Sequence, residues 1–132
     1  MNKLTIKTSR KDQVIDITDQ VERALRKSKI ENGVCILFAQ HTTCALTTAD
    51  LDTGTDLDFL EFVRAMVPKI NFRHPHDPAH TPDHILSTLI GPSVALPFER
   101  KKLILGTWQR VVLIELNGQR ERRINISFIV ES

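Results

Sequence analysis

The chain has 132 residues, 41% hydrophobic and 26% charged, with a net charge of +2, so one domain with an ordinary buried core is expected over residues 1–132. No run reaches the length of a membrane span, the start MNKLTIKTSRKDQ has no signal-peptide core, and two cysteines make no disulfide framework, which together point to a cytoplasmic protein. The charge is too mild to imply nucleic acid, and six Phe, one Trp and no Tyr, most of the Phe expected in the core, leave few platforms on which bases could stack.

In chain order, LTIKTS and QVIDIT read as short strands. Thr18 or Asp19 starts a helix with Val21, Ala24 and Leu25 on one face, and ENG (31–33) ends that unit. VCILFAQ (34–40) is a continuous apolar run and reads as a buried strand, with His41 directly after it. CALTTAD (44–50) resumes strand character. TGTDLDFLEFVRAMVP predicts a helix whose apolar face holds Phe59, Leu60, Phe62, Val63, Met66 and Val67, with Thr55 and Asp58 resembling a capping box. A further helix is announced by Thr81 as N-cap and Pro82 at its first position, and is ended by Gly91-Pro92. Its expected buried face is Ile85, Leu86, Leu89 and Ile90. SVALPF, LILGTW and VVLIEL then read as strands, Asn117-Gly118 as a hairpin turn, and RINISFIV as a closing strand with Ile124, Ile126, Phe128 and Val130 on one face. Two or three helices among about eight strands make an α+β fold with a largely antiparallel sheet or sandwich.

Four of the five histidines lie in RHPHDPAHTPDH (73–84): His74, His76, His80 and His84. His76, His80 and His84 have the i, i+4 spacing of helical zinc sites, but Pro75, Pro78 and Pro82 break any helix before residue 82. That leaves His84 in the first turn of a helix, among free N–H groups that favour anions, and makes His76 and His80 solvated loop residues. His41 suits either a pocket or a hydrogen-bonded strand end. Zinc would need His41, His74 and His84 to converge through tertiary folding.

Asp50, Asp52, Asp56 and Asp58 form an acidic run that could hold magnesium beside a diphosphate, or could serve only a helix start. In QRERR (119–123), Arg120 and Arg122 continue the face of Ile124 and Ile126. Arginines ending an apolar face suit phosphate or carboxylate, while a hairpin at 117–118 would instead pair Glu115 with Arg120 and set Leu113 opposite Arg122. Alternation puts Cys44 and His41 on opposite faces, which counts against a Cys–His nucleophile.

QHTTCALTTADLDTGTDLDFLEF, NFRHPHDPAHTPDHILSTLIGPSVALPFE and LILGTWQRVVLIELNGQRERRINISF together resemble the YjbQ family, small proteins known as secondary thiamine-phosphate synthases. The resemblance covers nearly the whole chain, most firmly residues 38–130. It implies a sandwich-like α+β homotrimer. It implies a shared polar or metal-binding cluster of His41, His74 and His84 near a subunit interface, with magnesium or zinc as the divalent cation. His41, His84, Arg120 and Arg122 are then the expected catalytic groups. Asp50, Asp52, Trp108, Gln109 and Arg123 are the expected substrate contacts. LTTADLD replaces an Asn-containing stretch usual in the family, and Cys44 replaces a small residue. The implied reaction joins the diphosphate ester of hydroxymethylpyrimidine to the phosphate of hydroxyethylthiazole. The chain is too short for a TIM barrel of about 250 residues, so such an activity would sit on another scaffold. Two other readings are a zinc-dependent hydrolase of a small phosphorylated substrate and a non-catalytic ligand-binding trimer. In each the partner is a small anionic ligand.

Overall fold

The layers of the molecule follow from which strands are apolar on one face and which on two. The computed structural model describes residues 2–131. Its strands are β1 (Asn2–Lys7), β2 (Gln13–Asp16), β3 (Gly33–Ala39), β4 (Cys44–Asp50), β5 (Ser93–Glu99), β6 (Lys102–Leu103), β7 (Gln109–Glu115) and β8 (Glu121–Val130). Its helices are α1 (Thr18–Lys27), α2 (Thr55–Ala65) and α3 (Thr81–Ile90), with a 3-10 turn at Pro78–His80. A five-stranded sheet, β1-β8-β3-β5-β6, faces a three-stranded sheet, β2-β7-β4, and the strand pairings are antiparallel. The α+β expectation holds.

The run VVLIEL is apolar throughout because β7 is covered on both sides. Val111 and Leu113 enter the core between the sheets, with Leu37, Leu46, Phe98, Ile124 and Ile126. Val112 and Ile114 face the other way, onto Leu60 and Val63 of α2 and Leu86 of α3. The order is therefore large sheet, small sheet, helical layer. Val21 and Leu25 of α1 join the inter-sheet core.

Several local expectations are corrected. Asn117-Gly118 does not close a hairpin, because β7 belongs to the small sheet and β8 to the large one. Gly118 is needed for close approach: a Cβ there would lie 2.0 Å from the Arg10 carbonyl oxygen. LILGTW is not a full strand, since only Lys102–Leu103 pairs, with Glu99 and Phe98, before the chain leaves the sheet. Thr81 is not an N-cap. Asp77-Pro78 carries the same start signal four residues earlier, and the Asp77 side chain accepts the Ala79 N–H at 3.0 Å, so the 3-10 turn runs straight into α3. Gly54, with φ of 88°, replaces Thr55 as the residue before α2, and no side chain caps that helix.

The helix faces are also narrower than expected. Leu60 and Val63 are buried, but Phe62 and Met66 are exposed, as are Ile85 and Leu89. Asp83, Leu86 and Ser87 form the inner face of α3. Phe98 alone among the six Phe is fully buried, and Phe38 and Phe62 are exposed.

Candidate functional site

Where the turn after β3, the loop before α3 and the β7–β8 crossing meet, they enclose a cleft of about 480 Å³. All five histidines line it, with Arg120, Arg122, Asn117, Thr42 and Thr43. His76 lines the cleft while staying an exposed loop residue, as expected, whereas His80 is partly buried and held between two carboxylates, against the expectation of loop solvation.

His41 follows β3 and is half-buried. Its Nε2 accepts the backbone N–H of Arg123 at 3.1 Å. The neutral ring therefore carries its proton on Nδ1. Burial, then the Arg122 guanidinium, pushes its pKa below the ordinary 6.5, so it is neutral at neutral pH. His74 and His84 stack with centroids 5.0 Å apart and planes 15° from parallel. The Nδ1 of His74 accepts the N–H groups of His76, at 3.3 Å, and Asp77, at 3.2 Å. His84 stands in the fourth position of α3 behind the 3-10 turn, so the expected place among free N–H groups at a helix start is lost.

Metal ligation needs ring lone pairs that point at one centre about 2.0–2.1 Å away. Nearly parallel stacked rings send their in-plane lone pairs alongside one another, and His41 Nε2 and His74 Nδ1 are already accepting hydrogen bonds. Among the described residues no group of three His, Cys, Asp or Glu could hold a metal ion. The arrangement of His41, His74 and His84 in this chain does not fit the expected magnesium or zinc site.

Arg122 is the fixed charge of the cleft floor. It lies on β8 opposite Ile6 of β1, and its side chain crosses to the small sheet. Nε donates to Glu115 Oε1 at 2.8 Å, and Nη2 donates to Glu115 Oε2 and to Thr43 Oγ1, the latter at 2.8 Å. Glu115 also accepts from Thr8 Oγ1 at 2.8 Å and from the N–H groups of Leu116 and Asn117 at 3.0 Å. Burial would raise the Glu115 pKa, but these donors hold it below the ordinary 4.5. The partner of Glu115 is therefore Arg122, not Arg120, and Leu113 faces Ile15 and Leu46 rather than Arg122. Arg120 is exposed, with Nε donating to the Asn117 carbonyl at 2.7 Å.

Beside this cleft lies an apolar lobe of about 520 Å³ lined by Phe38, Ala39, Cys44 and Pro92. It shares Gln40, His41, Thr42 and His84 with the histidine cleft. Burial pushes the Cys44 thiol up to about 11 and the Cys35 thiol to about 12, so neither is a nucleophile at neutral pH.

The remaining expected substrate contacts gather elsewhere. Asp50, Trp108 and Gln109 line a shallow depression with Thr48, whose Oγ1 accepts the Gln109 amide N–H at 2.9 Å. Asp50 is opposite Gln109 across β4 and β7. β4 spans 7 residues, so this depression is roughly 20 Å from the cleft. Asp50 and Asp52 each accept a nearby backbone N–H, of Asp52 and Thr53. Arg123 is exposed on β8 and contributes its backbone N–H to the cleft through His41.

A UPF0047 protein YjbQ-like family profile matches residues 2–131. This chain belongs to the YjbQ-like UPF0047 family. A UPF0047 protein of Archaeoglobus fulgidus is 39% identical over 122 residues, covering 92% of this chain and 94% of that one. YugU of Bacillus subtilis, also of the UPF0047 family, is 32% identical, covering 96% of each chain. The crystal structure of a YbjQ-like protein of unknown function from Sulfolobus solfataricus P2 superposes with a TM-score of 0.91 at 32% identity, covering 98% of this chain and 96% of that one. A YjbQ/UPF0047 protein of Clostridium acetobutylicum gives a TM-score of 0.88 at 32% identity, covering 98% and 100%. The family thus accounts for the whole described fold. No helix among the described residues is long and apolar enough to cross a membrane.

Proposed function

We propose that the histidine–arginine cleft binds the phosphate of a small organic phosphate ester, and that the chemistry is transfer of the thiamine-phosphate synthase type. The observation that carries this reading is the pairing of two lobes across His41 and His84: a polar lobe with Arg120 and Arg122, and an apolar lobe with Phe38, Ala39 and Pro92. A phosphate fits the first, and a planar ring the second. In the reaction, a bond forms between the thiazole nitrogen and the pyrimidine methylene carbon as the carbon–oxygen bond to diphosphate breaks. The electron pair leaves with pyrophosphate, whose growing charge needs fixed donors. Arg122, locked by Glu115 and Thr43, is such a donor and needs no reorganisation. In this reading His84, which stacks on His74, is the group that would hand a proton to the leaving group.

A homotrimer is part of this reading. Phe62, Met66, Ile85, Leu89 and Trp108 are exposed and favour self-association. Rings form by joining two different surfaces of successive copies. Such a ring can set the Asp50–Trp108–Gln109 depression of one copy against the cleft of the next, which would unite the two groups of substrate contacts.

The test is an assay of both precursors with release of pyrophosphate measured. Product formation by the wild type, reduced at least tenfold in His41→Ala and His84→Ala, supports the reading. Turnover no greater than in those variants refutes it. Light scattering checks the trimer.

A further inference from the structure

His80 sits between two carboxylates. Its Nδ1 is 2.9 Å from Asp83 Oδ2, and its Nε2 is 3.1 Å from Asp77 Oδ2. An ionised carboxylate only accepts, so both ring nitrogens must carry protons for both contacts to be favourable. A neutral ring would turn a lone pair onto one of the two.

The two carboxylates differ in freedom. Asp83 is buried and also accepts Arg64 Nη1 at 2.7 Å and Lys11 Nζ at 3.3 Å. Arg64 is itself held by Asp12, with Nε to Oδ2 at 2.9 Å. Asp77 is half exposed and belongs to the cleft rim. Its side chain accepts the Ala79 N–H, and its own N–H donates to His74 Nδ1 at 3.2 Å. Asp77 thereby ties His80 to His74, which stacks on His84.

We propose that His80 is a positioning residue working as a proton-operated latch, clamping the rim 74–79 through Asp77 onto α3 through Asp83. With both ring protons in place, the rim is closed and His74 lies on His84. When the ring gives up one proton, it keeps buried Asp83 and releases Asp77, and the rim loosens. The other charged groups around the latch are Arg64, Lys11 and Asp12 behind Asp83. On the cleft side they are His74, His76 and His84, with His41, Arg120 and Arg122 across it. His80 alone among them touches a rim carboxylate and a buried carboxylate together.

The latch is a property of the free protein, and its value to ligand binding rests on the phosphate reading. The experiment is NMR of the full chain, following backbone amides of residues 74–79 and the histidine rings from about pH 5.5 to about 8.5. The wild-type rim amides should move with pH on the curve of the His80 ring. In His80→Gln that coordinated movement should be lost, with dispersed spectra reporting an intact fold. In Asp77→Asn the amide oxygen keeps the Ala79 N–H and the amide nitrogen faces the ring, so the contact suits the neutral ring and is lost on protonation, and the rim amides should move in the opposite sense. Rim amides that ignore pH in the wild type, or follow it equally in His80→Gln, overturn the latch. Sulfate, which does not titrate in this range, separates the two ideas. At low pH it should bind roughly tenfold more weakly to His80→Gln than to the wild type, and equal binding would overturn the link to the ligand. If the wild type fails to bind sulfate while its rim still titrates, the phosphate reading falls and the latch stands.

Discussion

Two buried carboxylates lie under the same cleft and are held in opposite ways. Glu115 is enclosed between the sheets with Arg122, a partner that is itself 3% exposed and cannot lose its charge. Asp83 is enclosed on α3 by Arg64, Lys11 and His80, partners on the margin of the core. The first centre fixes a charge where two sheets meet. The second ties together a loop, two helices and a rim. One wall of the cleft therefore rests on an enclosed ion pair, and the other on a buried carboxylate whose partners reach the surface.

Breaking the enclosed pair should have the largest effect. Glu115→Gln leaves Arg122 charged, buried and short of its counter-ion, and should cost about 3–5 kcal/mol in urea unfolding. The double variant Glu115→Leu, Arg122→Met removes both charges and should regain most of that loss while abolishing sulfate binding. A double variant as unstable as the single one would show that the pair stabilises by more than mutual compensation. Asp83→Asn should cost less, about 1.5–3 kcal/mol, because Arg64 keeps Asp12 and the Leu116 carbonyl.

These two centres also mark how far the sequence could be read. The strands β3, β4 and β8 were legible, and so was the alternation that puts Arg122 in line with Ile124 and Ile126. The buried position of Asp83 was also there to be found: Asp83, Leu86, Ser87 and Ile90 stand at i, i+3, i+4 and i+7, one face of a helix. Counting only the apolar residues chose Ile85 and Leu89 instead, and both are exposed. The Asn-Gly turn misled because local turn chemistry does not say which sheet the next strand will join. Here it needed Gly118 to pass the Arg10 carbonyl, a partner more than a hundred residues away. His80 looked like loop solvation since its two carboxylates are recognisable only once Asp77 starts a 3-10 turn.

Acid sharpens the same comparison with a smaller effect. Both carboxylates have folded pKa values below their ordinary ones, 4.5 for Glu115 and 3.8 for Asp83, because donated hydrogen bonds outweigh burial. Their contribution to stability is full above those ordinary values and is lost as pH falls through the folded ones. Wild-type unfolding free energy should therefore decline below pH 4.5, and the decline should be shallower in Glu115→Gln. Parallel curves for the two proteins would place the acid-sensitive group elsewhere.

The smallest effect is expected at a third arginine–carboxylate contact with the same chemistry but no burial. Arg110 on β7 donates through Nε to Asp16 Oδ2 at 2.7 Å, and both side chains are more than a third exposed. Water screens this pair, and ordering two side chains offsets much of its attraction, so Arg110→Ala should cost no more than about 1 kcal/mol. Added salt should shrink even that difference, whereas the Glu115→Gln deficit should persist, since screening hardly reaches a pair between two sheets. Sulfate binding should be unchanged in Arg110→Ala, which is on the strand end away from the cleft. A large, salt-resistant loss at Arg110 would mean that enclosure is not what separates these contacts, and would undo the distinction drawn between the two walls.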